Sequence, residues 1–135
     1  MINPLGHLDR IILRSGWTLP YYHNNSSGNA PATLAVVVVH GIDRNAHDYF
    51  RSIIRAATDL GVITRTLIVA PHFQIEQDTR ETRDAYWTDS GGSSWKDGGG
   101  AVEPRGLSSF EVMDELLVTL ADRNRFPTLN RATIV

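Results

Sequence analysis

A run of six apolar residues, Leu34 to Val39, constrains the fold of this chain more than any other feature. It reads LAVVVV, with four consecutive valines and no alternation of polar and apolar residues. Valine loses side-chain freedom in helices, so the run favours a strand. Strands without alternation are buried on both faces, as in parallel sheets that are covered by helices. The run therefore predicts an inner strand of an α/β sheet over Leu34–His40.

A helix is predicted over residues 46–60, after a polar turn. Asn45 can cap this helix, and Asp48 lies three positions later, where a carboxylate can meet the free N-terminal amides. Gly61 ends the helix. Its apolar residues form one stripe: Tyr49, Phe50, Ile53, Ile54, Ala57 and Leu60. The next apolar run, Thr66–Ala70, predicts a second buried strand, so the three elements form a right-handed βαβ unit.

The segment from Pro71 to Gly106 is polar, charged and rich in glycine, with no sustained periodicity. Loops this long are uncommon in compact domains and are usually functional or disordered. Tyr86, Trp87 and Trp95 indicate that it is at least partly anchored, because a solvated linker seldom carries such apolar bulk. We expect this insert to act as a lid over the C-terminal strand ends near Ile42, where ligands bind in open α/β sheets.

A second helix is predicted over residues 108–123, with Ser108 as its cap and Glu111 completing a capping box. Its buried stripe contains Val112, Met113, Leu116, Leu117 and Leu120. Pro127 interrupts the chain, and Arg131–Val135, which reads RATIV, begins a third buried strand. The interpretation is a parallel arrangement of three strands with both helices packed on the sheet.

The N-terminal region gives mixed signals. Trp17–Tyr22 is interpreted as an edge strand, because Pro20 is tolerated at an edge but not in a central strand. The only apolar run near the N-terminus, Ile11–Leu13, is far too short for a signal peptide or a membrane span, so a cytoplasmic location is the default expectation. A net charge of -2 gives no electrostatic reason to expect nucleic acid or a membrane as a partner.

Several kinds of site are disfavoured by the sequence. The chain has no cysteine, which excludes disulfides, thiolate nucleophiles and cysteine-based zinc sites. The five histidines lack metal-ligand spacing. Asp84, Asp89 and Asp97 lack EF-hand spacing and indicate a solvated loop. Gly98–Gly100 is neither a dinucleotide-binding fingerprint nor a P-loop. We therefore expect no metal and no cofactor.

The order of elements is strand, His-Gly, capped helix, strand, long insert, capped helix, strand. This order resembles the N-terminal half of the α/β-hydrolase family over roughly Trp17 to Val135. The resemblance rests on VVVVHG, on the alternation, and on RATIV, which stands where the family's strand leads into its nucleophile elbow. It implies a three-layer fold with a mostly parallel sheet, helices on both faces and the His-Gly strand in the middle. Residues 1–135 would then be a single, incomplete domain.

The resemblance also implies a site. His40, Gly41 and Ile42 would form an oxyanion-hole loop, with the backbone N–H of Ile42 as a donor. His40 would support the loop rather than act as a base, and Gly41 would let the backbone approach without a Cβ. The alternative is that His40-Gly41 is only a strand-ending turn. Asp43 and Arg44 either face a substrate pocket or form a surface turn with local charge pairing.

The nucleophile that such a loop serves is missing. The family uses Gly-x-Ser-x-Gly, and the nearest match, Gly92–Lys96, has a lysine in place of the second glycine and lies in a loop. Because the family order is serine, acid, histidine, all three are expected beyond Val135. The resemblance thus implies the N-terminal portion of a serine hydrolase for ester, amide or similar bonds, inactive without a C-terminal half. The alternative is a non-catalytic α/β binding module, using the 86–95 region, or a truncated gene product.

Overall fold

A computed structural model describes residues 2–25 and 32–135 of the chain. The chain divides into two compact units. Unit 1 comprises Met1–Asp9, Tyr21–His72 and Leu117–Val135, and unit 2 comprises Arg10–Pro20 and Phe73–Leu116. Unit 2 therefore contains most of the predicted insert together with a segment from near the N-terminus.

Strands stand before, between and after the two α-helices in the described part of the chain. The elements are β1 (Ile2–Ile12), β2 (Thr18–Asn25), β3 (Leu34–Val37), α1 (Ala46–Asp59), β4 (Thr66–Pro71), β5 (Gln74–Ile75), β6 (Tyr86–Trp87), α2 (Ser109–Leu120) and β7 (Arg131–Ile134). Five strands form one sheet in the order β1-β2-β4-β3-β7. β3 is parallel to both β4 and β7, whereas β2 is antiparallel to β4. The predicted α/β class is confirmed, and β3 lies between the two other predicted strands, β4 and β7, as expected.

The central strand β3 is hydrogen-bonded along both edges. Leu34 pairs with Thr66 on one side and with Arg131 on the other. Although β3 ends at Val37, backbone bonds continue from Val38 N–H to the Val69 carbonyl and from Val39 N–H to the Val135 carbonyl, each 2.9 Å long. Every residue of the neighbouring β4 is buried. Burial on both faces explains why β4 lacks alternation. In β3, Ala35 and Val37 are buried, whereas Leu34 and Val36 on the other face are only partly buried.

Helix α1 confirms the predicted helix to within a residue at its C-terminal end. Its buried residues Phe50, Ile54 and Ala57 pack in one cluster with sheet residues that include Ile68. Each large aliphatic or aromatic side chain buried in this way contributes about 1.5–3 kcal/mol. The stripe is narrower than predicted, because Tyr49 and Leu60 are exposed.

The ends of the two helices differ in how they are capped. Asn45 stands at the N-cap of α1, but its side chain binds the Asp48 carboxylate at 3.2 Å rather than a backbone amide. Gly61 follows the helix with φ +72°, the left-handed conformation that ends many helices. Ser108 caps α2 as predicted, accepting the Phe110 N–H at 3.1 Å. Within the described ranges, no helix is long and apolar enough to cross a membrane.

The prediction of an edge strand at Trp17–Tyr22 is wrong. β2 lies between β1 and β4, and its register with β4 begins at Tyr21, which pairs with Pro71. Pro20 therefore precedes the paired residues and removes no bond from this ladder. The outer strand β1 was not predicted, because Pro4 and Gly6 interrupt its apolar pattern.

Asn24, in β2, ties the antiparallel strand to β4 through its side chain. Its amide nitrogen donates to the Thr66 carbonyl at 3.0 Å, and its amide oxygen accepts the Ile68 N–H at 2.9 Å. The Asn24 residue is 2% exposed. Burying an amide without hydrogen-bond partners costs free energy. Here both the nitrogen and the oxygen of the Asn24 amide are hydrogen-bonded, which offsets that cost.

The expectation that RATIV is a buried strand is also wrong. All four residues of β7 are exposed. Among the strands of the described residues, β7 forms one edge of the sheet and pairs with β3 alone. Ile134 and Val135 are half-exposed, which leaves an apolar edge strand with unpaired backbone groups, an arrangement that promotes association.

The core of unit 2 is aromatic. The Phe73 ring stacks on Trp95, with centroids 5.9 Å apart, and meets Trp87 edge-to-face at 5.4 Å. Trp87 is fully buried, and its indole N–H points at the carbonyls of Gly99 and Leu107 at 3.1 and 3.2 Å. The insert that reads as irregular in the sequence is therefore anchored by its tryptophans.

Asp84 is the polar centre of unit 2, and its assignment to a solvated loop is wrong. It is 0% exposed. Its carboxylate accepts two bonds from Arg10, at 2.9 and 3.1 Å, one from the Thr18 hydroxyl at 2.7 Å and one from the Glu81 N–H at 2.9 Å. Arg10 and Thr18 are more than 60 residues away in sequence, so no local pattern reveals this contact.

Replacing Asp84 is expected to destabilise the chain. Asp84→Asn removes the charge that Arg10 and Thr18 bind, and we expect the free energy of unfolding to fall by about 3 kcal/mol near neutral pH. Urea unfolding followed by tryptophan fluorescence measures the change. The matched variant Asp59→Asn, at the exposed end of α1, should change it by less than about 0.5 kcal/mol. Equal losses in both variants would contradict the assignment.

The difference in unfolding free energy between wild type and Asp84→Asn should depend on pH. Burial raises the pKa of Asp84, but the hydrogen bonds from Arg10, Glu81 and Thr18 outweigh it, so the pKa lies below the ordinary 3.8. The stabilisation is therefore complete above the unfolded pKa of about 3.9 and is lost as the pH falls through the lower folded pKa. The difference between wild type and Asp84→Asn should be constant from about pH 7 to about pH 5 and shrink below about pH 4.

The exposed edge strand predicts self-association. We expect the 135-residue chain to elute as oligomers in size-exclusion chromatography, and Ile134→Lys to shift it towards monomer, because a charge on an edge strand opposes pairing. Val118→Lys is the control, since Val118 is similarly exposed but lies on helix α2. A wild-type chain that is monomeric and melts cooperatively would contradict the prediction.

Candidate functional site

The His-Gly pair lies where the central strand leads into helix α1. Residues 41–44 form a tight turn, closed by a 3.0 Å bond from the Arg44 N–H to the Gly41 carbonyl. Arg44 has φ +54°, a left-handed conformation that is uncommon outside glycine. The turn therefore stands at the C-terminal end of β3, the sheet edge at which parallel α/β folds place their ligands.

The Gly41 carbonyl is held by two donors. Besides the Arg44 N–H, it accepts a bond of 2.9 Å from Nδ1 of His40, which fixes the proton of that ring on Nδ1. This carbonyl and the Ile42 N–H belong to one planar peptide group and point in opposite directions. No described residue accepts a bond from the Ile42 N–H. Two fixed bonds on one side of the peptide thus orient a donor on the other.

Limited space, rather than backbone conformation, favours glycine at position 41. The positive φ of this turn belongs to Arg44, not to Gly41. A Cβ on Gly41 would lie 2.7 Å from the Tyr49 hydroxyl oxygen and 3.6 Å from the ring carbon that bears it. Tyr49 is half-exposed because its hydroxyl reaches back over this turn instead of joining the helix core. Sequence reasoning missed this role, since Tyr49 fits the apolar stripe of α1.

The remaining residues of the loop make contacts with backbone and rings. His40 is 3% exposed, and its ring meets that of His72, which follows β4, edge-to-face at 5.5 Å. Arg44 donates from Nη1 to the Ile42 carbonyl at 3.0 Å. Asp43 and Ile42 are exposed. Asp43 and Arg44 thus lie on the turn, and Arg44 holds its backbone; that they face a substrate pocket stays a prediction.

The candidate lid residues all lie in unit 2. Trp87 and Trp95 are core residues of that unit, whereas Tyr86 is half-buried beneath the guanidinium of Arg80. The two tryptophans therefore stabilise the insert instead of offering open aromatic faces. That the insert covers the strand ends near Ile42 stays a prediction.

The Gly92–Lys96 segment, the nearest match to Gly-x-Ser-x-Gly, does not have the structure of a nucleophile elbow. Ser94 is 0% exposed and stands between two short 3-10 helices, Gly91–Ser93 and Trp95–Asp97. Its hydroxyl oxygen accepts the Lys96 N–H at 3.3 Å. No strand leads directly into a helix at this point, as a nucleophile elbow requires. In residues 2–25 and 32–135, no three histidine or acidic side chains converge to hold a metal ion.

Comparison with known proteins shows similarity in fold only. No protein-family model matches the chain, and no curated protein sequence matches it. The chain is similar to the structure of LpqC, a poly(3-hydroxybutyrate) depolymerase from Bordetella parapertussis, with 21% identity, a TM-score of 0.53 and 89% of this chain covered. It also matches the siderophore hydrolase EstA from Aspergillus nidulans, with 14% identity, a TM-score of 0.43 and 97% of this chain covered.

The chain spans 38% of the length of the depolymerase and 48% of that of the siderophore hydrolase. The mixed sheet of the chain and its similarity to the depolymerase structure both indicate an α/β fold. The chain therefore has an α/β fold of the hydrolase type.

Proposed function

We propose that this chain is the N-terminal portion of a serine hydrolase that acts on an ester, amide or similar bond, and that it supplies one donor of the oxyanion hole. The observation that carries the proposal is the peptide between Gly41 and Ile42. Two hydrogen bonds hold its carbonyl, and its N–H has no acceptor among the described residues. An ordinary strand-ending turn needs only the bond from the Arg44 N–H, whereas here the His40 ring adds a second bond to the same carbonyl.

The chemistry of acyl transfer explains the value of this donor. Attack on a carbonyl carbon places negative charge on its oxygen, and a fixed N–H donor lowers the energy of that state by about 2.7–4 kcal/mol. Because His40 and Arg44 orient the peptide beforehand, the donor needs no reorganisation during the reaction. The second donor in such enzymes is the N–H that follows the nucleophile. In this proposal the nucleophile, the acid and the catalytic histidine belong to further sequence.

Two further observations support an ester-type substrate and a longer protein. The depolymerase with the similar fold acts, by its name, on a polyester, and this chain spans 38% of its length. The 135 residues contain no Gly-x-Ser-x-Gly sequence. The proposal therefore assigns the chain the oxyanion loop and assigns the catalytic triad to sequence beyond Val135. The proposal also includes the insert as a lid over the loop at Ile42, with the half-buried Tyr86 as one of the lid residues.

The chain alone is expected to be inactive. It should neither hydrolyse p-nitrophenyl butyrate above the buffer rate nor react with a fluorophosphonate probe, because removing triad members already costs orders of magnitude in rate. Ser93→Ala and Ser94→Ala serve as controls. Turnover abolished by either variant would make that serine the nucleophile, and turnover that survives both would reveal another. Either result would overturn the proposal.

The continuing reading frame gives the complementary test. We expect Gly-x-Ser-x-Gly shortly after Val135 and fluorophosphonate labelling of the longer protein at that serine. A stop codon directly after Val135, together with no labelling, would instead favour the non-catalytic binding module.

A steric rescue tests the Ile42 donor in that longer protein. Gly41→Ala should lower kcat, by at most about the 10²–10³-fold that losing one donor costs, because the new Cβ would lie 2.7 Å from the Tyr49 hydroxyl and the proposal expects the turn to shift in response. Adding Tyr49→Phe removes that oxygen and leaves the nearest atom at 3.6 Å, so activity should recover. Gly92→Ala is the control, since nothing lies within 4 Å of its Cβ. Full activity of Gly41→Ala alone would contradict the role of the turn.

A further inference from the structure

Unit 2 contains a basic pocket that the hydrolase assignment does not use. It is a cavity of about 440 Å³ lined by Arg10, Thr18, Arg80, Glu81, Thr82 and Arg83. Its lining has three arginines and one acid, whereas the whole chain has a net charge of -2. Positive charge is therefore concentrated here against the overall balance of the chain.

One of the three arginines is already neutralised. Arg10 binds the buried Asp84 through two hydrogen bonds and reaches Glu81 at 3.3 Å. The Thr18 hydroxyl likewise donates to Asp84. These residues form a fixed wall of the pocket. Arg10, Asp84 and Glu81 together carry a charge of −1, so Arg80 and Arg83 leave a net charge of +1 for a ligand.

Arg80 is held in place without using its donors. Its guanidinium carbon lies 3.7 Å above the centre of the Tyr86 ring, a cation–π contact that covers one face of the group. Its Nε is buried and has no hydrogen-bond partner in the part of the chain that the structure describes. A buried donor without a partner is rare in folded proteins and is commonly explained by an ion or water at the site.

Arg83 completes the pair. Its guanidinium carbon lies 5.3 Å from the centre of the Trp17 ring, and its side chain is exposed. Among the described residues, no carboxylate pairs with Arg80 or Arg83. Ring contacts orient both guanidinium groups and leave their N–H edges for a ligand, which lowers the entropy cost of binding.

We propose that this pocket binds the carboxylate or phosphate group of a small ligand. A guanidinium presents its N–H donors as a rigid fork that matches the two oxygens of such a group. Arg80 and Arg83 supply the charge, and Thr82 also lines the pocket.

Isothermal titration calorimetry tests the proposal with inorganic phosphate and citrate as separate probes, at constant ionic strength in sodium chloride and with the protein monodisperse. We expect saturable binding of at least one probe with a dissociation constant below about 1 mM. In ¹H–¹⁵N spectra the Arg80 Nε–H signal should shift as the site fills. Binding of phosphate alone assigns a phosphate ligand, binding of citrate alone a carboxylate ligand, and binding of both a general oxyanion site.

Variants separate the site from non-specific attraction. Arg83→Gln should weaken binding about tenfold or more, and this exposed residue is replaceable without disturbing the core. Arg80→Lys keeps the charge but loses the fork, and should also weaken binding. Arg55→Gln, on the exposed side of α1, removes the same charge and should leave the affinity unchanged. The proposal fails if neither probe binds the wild-type protein, or if Arg55→Gln weakens binding as much as Arg83→Gln.

Discussion

The parallel pairing of β3 with both β4 and β7 is the constraint on which the sheet and the loop depend. β3 is bonded along both edges, its residues Ala35 and Val37 are buried, and Leu34 and Val36 on the other face are partly buried, so each position of Leu34–Val37 favours an apolar side chain. The same pairing places residues 41–44 at the carboxyl edge of the sheet. The backbone groups of β3 are bonded to β4 and β7, so the polar groups of residues 41–44 are left to bond within the turn.

Much of unit 1 could be predicted because its signals are local. The apolar runs of β3 and β4, the stripe of α1 and the glycine at position 61 each act within a few residues. The failures lie where distant residues decide the outcome. Asp84 is buried because Arg10 and Thr18 reach it across the chain. In the described part of the chain β7 is an exposed edge strand that pairs with β3, and its apolar sequence does not reveal this position.

The candidate site divides in the same way. The His-Gly pair after a buried strand was sufficient to locate the turn and to assign His40 a supporting role. The two bonds on the Gly41 carbonyl and the approach of Tyr49 depend on how α1 is oriented against the strand. In unit 2, Trp87 and Trp95 were recognised as anchors, but their burial as one cluster with Phe73 required the folded arrangement.

The Asn24 side chain has a consequence for how the sheet assembles. Its amide donates to one backbone carbonyl of β4 and accepts from a backbone N–H two residues further along, as an extended peptide would. If β2 slid along β4 by two residues, the alternation of its faces would be preserved, yet Thr66 and Ile68 would lose their partner in a buried position. A single asparagine thus favours the native register of β2 and β4 over registers shifted by two residues.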